Sequence, residues 1–326
     1  MPPVPPAHRP RRPTERPEPR TTSPAADGAV AAAAWARVAA LAGSEVVAAA
    51  PARWGFTNRT WLATLADGRR VAVQLLAGRE VARRRLRVGA RLAERLAAAG
   101  VPTAPLLGGD ADAAAPFALH AFVAGRNGAE ALAADAGAVR LARLMGGLAP
   151  RLAAVDTRGL RLPSTWADPA RLAGAARRWL ERAGPRLDGA TSRALRAAVA
   201  GVEPLFAGRR PVFAHGDFAP VNVLLAPVPG RRAETAAALL DLEFARPADP
   251  LLDVAWWGWI VRFHHPSRWP VAWPAFLAAA GGPDASAAFA DRVRTLQLLR
   301  LLELLDRAGR RAADTWAARL AVTARW

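Results

Sequence analysis

Between residues 60 and 123 the apolar positions change period twice, and each change marks an element. Thr60 to Leu65 and Val71 to Leu75 are short apolar runs joined across Asp67-Gly68. Asp-Gly between such runs favours a tight antiparallel hairpin. From Arg79 to Ala99 the apolar residues recur at helical spacing, and Gly100 followed by Pro102 stops the pattern. Phe117 to Val123 returns to an apolar run of strand length, and Gly125 to Asn127 reads as a loop. Upstream, Ala29 to Ala40 has the pattern of a short helix.

From Ala129 onward the pattern is mostly helical, with helices expected over Val139 to Val155, Pro169 to Ala183 and Thr191 to Phe206. A strand–loop–strand segment interrupts them. A turn at Ala248-Asp249-Pro250 precedes a Trp-rich helix near Leu252 to Arg262, and two or three more helices finish the chain. Residues 1–27 are rich in Pro and Arg and lack periodicity. Such a segment buries too little apolar surface to offset the entropy of ordering, so a disordered tail is expected, with a basic arm as the alternative. No internal repeat is evident.

Composition narrows the class. The chain has 326 residues, 52% of them hydrophobic, enough for one large domain or two lobes with a sizeable core. The absence of Cys excludes a disulfide framework and a thiolate zinc site, and fits a cytoplasmic protein. The net charge is +18, and every residue behind its basic side is Arg, since the chain has no Lys. A biased genome accounts for that skew. No aromatic-basic RNA motif, zinc finger or helix-turn-helix pattern accompanies the charge, so no nucleic acid is expected. Leu251 to Ile260 is too short for a membrane span and carries Asp253. Arg11-Arg12 has no apolar stretch close behind it, so no secretory signal is expected.

The chemistry concentrates in Phe213-Ala214-His215-Gly216-Asp217-Phe218-Ala219-Pro220-Val221-Asn222, followed by Leu239-Leu240-Asp241-Leu242-Glu243-Phe244. An Asp five residues ahead of an Asn, on a loop entering an apolar run, has the spacing of a kinase catalytic loop. Asp217 is the candidate general base or hydroxyl orienter; a loop Asp bonding its own backbone is the structural alternative. Asn222 and Asp241 are candidate Mg²⁺ ligands, with turn or cap roles as the alternative. Glu243 could be a further ligand or the partner of one, or a solvent-facing carboxylate. His264-His265 are sequence neighbours, which do not face one site on a helix.

The two motifs and the later Asp249-Pro250-Leu251-Leu252-Asp253 resemble the aminoglycoside phosphotransferase family, over roughly residues 45–310. That resemblance implies an α+β, two-lobed protein-kinase-like fold. It places a small β-rich N-lobe over 28–123 and a larger helical C-lobe over 124–326. It implies ATP (or GTP) as donor, Mg as cofactor and a small-molecule hydroxyl as acceptor. Gly55 and Asn58, in Trp54 to Trp61, resemble the family's nucleotide turn, with a plain hairpin turn as the alternative. The strand near His120 and Phe122 would read the base through its backbone, and Gln74 occupies the phosphate-binding strand position. His215 would pack beneath the loop, and Asp253 would bond its backbone from below.

The chain departs from the family pattern in places. Kinases hold the α- and β-phosphates with a strand Lys paired to a helix Glu. Here the strand position is Gln74, and family spacing counted back from Pro102 puts the helix position at Gly89. Either an Arg supplies the charge, with Arg59 and Arg79 as candidates, or the chain is a pseudokinase. Ala153 stands where the family often has His, a departure given little weight. Finally, an acceptor wall for polycations needs carboxylates. Asp291, Glu303, Asp306 and Asp314 are available, but Arg is far commoner, so a sugar, amino alcohol or similar hydroxyl compound is expected rather than an aminoglycoside. Trp256, Trp257, Trp259 and Trp269 form either the lobe core or a stacking surface. The Arg-rich helix over Arg79 to Arg95 reads as a solvated face with partial pairing to Glu80 and Glu94, or as a basic patch. Outside the enzyme class, a basic binding module for an acidic partner remains the alternative. The oligomeric state is not encoded in any visible pattern.

Overall fold

A computed structural model describes residues 34–52, 60–76, 78–231, 233–282 and 288–326. The expected tail and the start of the expected first helix lie outside the described residues. Helix α1 covers 34–42. Five strands follow in an antiparallel sheet: β1 (Val46–Pro51), β2 (Thr60–Leu65), β3 (Arg70–Leu75), β4 (Leu106–Asp110) and β5 (Phe117–Ala121), in the order β1-β2-β3-β5-β4. The β2–β3 turn is the expected one, with Gly68 at φ 84° and its N–H donating to the Leu65 carbonyl. Positive φ at that position is what a Gly there permits.

The period of two gives the sheet two different faces. Val71, Val73, Phe117 and Leu119 point outward and bury against Val38 of α1. Ala72, Gln74, Ala118 and His120 sit on the opposite face, which lines a cleft. Helix α2 (Arg79–Ala98) packs on that inner side. It ends as its sequence requires. Gly100 takes φ 69°, its N–H bonds Ala97 O, and Val101 N–H bonds Leu96 O.

The C-lobe contains α3 (Asp135–Ala153), α4 (Pro169–Ala183), α5 (Gly189–Phe206), α6 (Leu252–His264), α7 (Trp269–Ala279), α8 (Phe289–Arg307) and α9 (Arg310–Ala324). Helix α6 is apolar on all sides, the mark of a helix surrounded by others. Trp256, Trp257 and Trp259 are all buried there. Trp257 stacks 4.1 Å from Phe276 of α7, and Trp259 donates to Thr323 of α9 at 2.8 Å. Most of the Trp cluster is therefore core. Short strands carry the site: β6 (Arg126–Asn127), β8 (Val223–Pro227) and β9 (Glu234–Leu239) form one sheet, while β7 (Val212–Ala214) pairs with β10 (Arg246–Ala248).

The architecture is the expected α+β one, a small antiparallel sheet over a helical lobe. Some details differ. The last strand of the upper sheet stops at Ala121, and the expected loop at Gly125 to Asn127 contains β6, paired with β8. Among the described residues, no helix is long and apolar enough to cross a membrane.

Candidate active site

The cleft between the inner face of the upper sheet and strands β8 and β9 has a volume of about 580 Å³. Its walls include Ala72 and Leu62 above and Leu224 and Leu239 below, a flat apolar slot. Gln74, Asp217, Asn222, Asp241 and Glu243 all line the same space.

Asp217 is held from both sides. Trp256 Nε1 donates to Oδ1 at 2.7 Å, and Asn222 Nδ2 donates to Oδ2 at 2.9 Å. Each carboxylate oxygen keeps a lone pair for a substrate hydroxyl. Asn222 Nδ2 also donates to the Asp217 carbonyl at 2.8 Å, which fixes the amide orientation and leaves Oδ1 as the ligand oxygen.

Asp241 is tied to this loop through its neighbour. Leu240 N–H donates to Asn222 O, and Leu240 O accepts from His215 Nε2, both at 2.8 Å. His215 Nδ1 then accepts from Asp217 N–H at 3.2 Å, so the ring bridges the two segments as its neutral tautomer. Beneath them Asp253, 5% exposed, accepts from His215 N–H at 2.7 Å and from Gly216 N–H at 2.9 Å. Both residues thus support the loop, in the manner the sequence suggests. Asp241 has φ 60°, the one non-glycine residue among those described with positive φ. Burial and the Glu243 carboxylate push its carboxyl up to about 6, against the pull of Arg85. A buried carboxylate short of positive charge is a place where a divalent cation relieves the deficit.

The donor set fits magnesium. Among the described residues no three His, Cys, Asp or Glu side chains converge on a self-sufficient metal site. Asn222 and Asp241 offer two hard oxygen ligands beside a cleft large enough for a triphosphate, and Mg²⁺ takes its remaining ligands from water and phosphate.

A partly buried guanidinium that the sequence does not single out stands beside Gln74. Arg85 of α2, 15% exposed, donates from Nη1 to Gln74 Oε1 at 3.0 Å. Its Nη2 reaches Glu243 Oε2 at 2.5 Å and Asp241 Oδ1 at 3.5 Å. Of the two expected cations, Arg79 is exposed at the start of the helix and does not take this place, while Arg59 lies outside the described residues. Gly89, the position the spacing picked for a helix Glu, packs against β4, where a Cβ would come within 2.8 Å of Leu106 Cδ2. Glu80 pairs loosely with exposed Arg87 at 3.7 Å. A signal existed, since Arg85, Val88, Gly89 and Leu92 share one cleft-facing stripe of α2.

Gly55 and Asn58, expected at the nucleotide turn, lie outside the described residues. His120 borders the cleft and burial lowers its pKa, partly offset by a contact with the Ala104 carbonyl. Phe122 borders it too, but its N–H already bonds the Arg70 carbonyl and its ring lies 3.8 Å under the Arg70 guanidinium. None of Asp291, Glu303, Asp306 and Asp314 lines the cleft. Glu303 is instead buried with Arg246 and Arg300 and is also paired with the exposed Arg307, and Asp306 binds Arg182 at 2.6 Å.

Comparisons with known proteins agree with this fold. The sequence profile described as the Phosphotransferase enzyme family matches residues 48–289. Among solved structures, the macrolide 2'-phosphotransferase MphH from Brachybacterium faecium is similar at 22% identity and TM-score 0.61, covering 87% of this chain and 96% of that one. The GDP complex of aminoglycoside 2'-phosphotransferase-IIIa superposes at TM-score 0.67 with 17% identity, covering 86% and 92%. A putative fructosamine-3-kinase from Thermobifida fusca gives TM-score 0.55 at 18% identity, covering 89% and 96%. No curated protein matches the sequence. At these identities the structural likenesses speak for the kinase-like fold, while the profile spans most of the chain; the protein belongs to the phosphotransferase enzyme family that includes the aminoglycoside phosphotransferases.

Proposed function

We infer that the protein transfers the γ-phosphoryl group of ATP (or GTP) to a hydroxyl of a small molecule. The observation that carries this reading is the convergence of Asp217, Asn222 and Asp241 on one interlobe cleft. The base would lie in the slot between Ala72 and Leu239, near the backbone of Ala121 and Val123. Asp217 would orient the acceptor hydroxyl and take its proton late in the transfer. The acceptor oxygen bonds to Pγ, the bond from Pγ to the β-bridging oxygen breaks, and the nucleoside diphosphate leaves with that electron pair. Asp217 then returns its proton to solvent. Asn222 and Asp241 would hold Mg²⁺, which supplies charge neutralisation at the phosphates.

The acceptor would not be a polycation. Among the described residues lining the cleft on its C-lobe side, Arg161 and Arg126, the latter paired with Glu234, stand with Glu130, so apart from the catalytic carboxylates the wall carries no excess of negative charge. A wall of that charge suits a neutral or anionic hydroxyl compound, such as a sugar or a phosphorylated or carboxylated alcohol.

Single-turnover release of phosphate from ATP or GTP with Mg²⁺ tests the transfer step, with water as the surrogate acceptor. The wild type is expected to exceed an Asp217→Asn control. Equal rates would remove the enzymatic reading in favour of a pseudokinase. A subsequent acceptor screen is expected to find consumption with neutral or anionic hydroxyl compounds and none with polycationic ones such as aminoglycosides.

A further inference from the structure

The chain has no Lys, and among the described residues the kinase arrangement of a β3 Lys paired with a helix carboxylate is not found. The same junction is nevertheless charged, with its polarity reversed. The strand offers the neutral amide of Gln74, the helix offers the guanidinium of Arg85, and the carboxylate comes from Glu243, two residues past Asp241. We propose that Arg85 is the phosphate-binding cation of this cleft, exchanging Asp241 and Glu243 for the α- and β-phosphates of the nucleotide when Mg²⁺ arrives. The inference rests on the phosphotransferase reading and deepens it.

Four observations support the exchange. Arg85 already sits at the meeting point of the strand, the helix and the metal segment, with one nitrogen 3.5 Å from an Asp241 oxygen. That long contact is the one a metal ion would replace. Its Nε is buried with no hydrogen-bond partner among the described residues. A guanidinium so placed keeps a donor for a bidentate anion, which its fork geometry suits. Gln74 accepts from Nη1, so its own Nε2 end is turned away from Arg85 and serves as a neutral donor. Finally, Arg126, another cation lining the cleft, is already committed to Glu234 by two bonds of 2.6 Å.

Reversed polarity also ties the helix to the segment that carries Asp241. Arg85 bridges α2 of the upper lobe to Glu243 of the lower one. Filling the cleft shifts the guanidinium toward the phosphates without moving it off Gln74.

The test separates phosphate from base. Affinities of ATP and GTP with Mg²⁺, and of adenosine and guanosine, are measured by calorimetry for the wild type, Arg85→Gln, and Arg85→Gln with Gln74→Lys. Arg85→Gln is expected to weaken the triphosphate about 10- to 100-fold, the worth of one or two charge-assisted bonds. The nucleoside should bind unchanged. The added Lys at the strand position should restore most of the lost affinity. Unchanged triphosphate binding in Arg85→Gln would overturn the proposal, and so would an equal loss for triphosphate and nucleoside, which means a structural role. A wild type that binds neither triphosphate nor nucleoside refutes the phosphotransferase reading itself, and this inference with it.

Discussion

Gly216 offers the sharpest test of how the catalytic segments pack. It has φ 78°, and a Cβ built on it would collide with the carbonyl oxygen of Phe244 and lie 3.0 Å from Phe244 Cβ. Alanine there meets two costs. The left-handed backbone alone costs a non-glycine residue about 1–2 kcal/mol. Displacing a backbone carbonyl in a packed site adds about 1–3 kcal/mol. Gly208 isolates the first cost, because it has φ 69° and nothing within 4 Å of a built Cβ. Gly208→Ala is therefore expected to lose about 1–2 kcal/mol and Gly216→Ala about 2–5 kcal/mol. Urea denaturation of both variants without nucleotide gives the difference. Gly216→Ala should also lose Mg²⁺-dependent nucleotide binding, since its relief pushes residues 242–244 away from the loop, whereas Gly208→Ala keeps it. Equal destabilisation of the two variants would mean that Phe244 does not press on the loop, and the convergence of Asp217 with Asp241 would lose its structural basis.

Further outcomes follow from the surroundings of the site. Burial alone would raise the Glu303 pKa, but Arg300, Arg246 and Arg307 overcome it and hold the carboxyl at about 2. A depressed acid stabilises the fold above its unfolded pKa and loses that contribution as pH falls. Glu303→Gln should cost about 3 kcal/mol at neutral pH by urea denaturation, with the gap to wild type closing between about pH 4.5 and 2. A gap independent of pH would refute the ion cluster. Trp256→Phe removes the indole donor from Asp217 while keeping the stack on Trp259, 4.8 Å away. Phosphate release should slow about tenfold or more at unchanged nucleotide affinity, as loss of a bond to a charged group implies, and the effect should vanish in an Asp217→Asn background.

Much of this was legible because it is local. The β2–β3 hairpin announces itself by Asp67-Gly68, and α2 by its period and its Gly100 stop. Asp217 and Asn222 lie on one loop, so their spacing alone encodes their hydrogen bond. What was not legible depends on distant partners. β4 reads Leu-Leu-Gly-Gly-Asp, which resembles a turn, yet Gly109 is required because a Cβ there would strike the Phe117 carbonyl of β5 and Leu86 of α2. Arg85 meets Asp241 and Glu243 across 156 and 158 residues, and no periodicity carries such a contact. The counting rule that gave Gly89 assumed a helix Glu. With the charge reversed, the functional position is one turn earlier on the same stripe. The sequence leaves Trp256 open between core and stacking surface. Its ring is core and its nitrogen bonds Asp217, a division that sequence cannot display.

Asp241 bears on whether the site is maintained for chemistry or is a relic. Its left-handed backbone costs about 1 kcal/mol or more, and its carboxyl is pushed up to about 6 by burial and by Glu243. Asparagine tolerates the same backbone and removes the charge, so Asp241→Asn tests the electrostatic part alone. The sign follows from linkage. Between about 4 and 6 the native state keeps a proton that the unfolded chain has released, so the wild type loses stability as pH rises through that window. Asp241→Asn should therefore equal the wild type near pH 4 and exceed it by about 1–3 kcal/mol above pH 6.5, without ligand. The same variant should lose the stabilisation that Mg²⁺ and nucleotide together give the wild type. A residue that weakens the empty protein and strengthens only the loaded one is held there for its ligand. If Asp241→Asn is instead less stable at every pH, the carboxylate is a structural cap, and the pseudokinase alternative gains its first physical support.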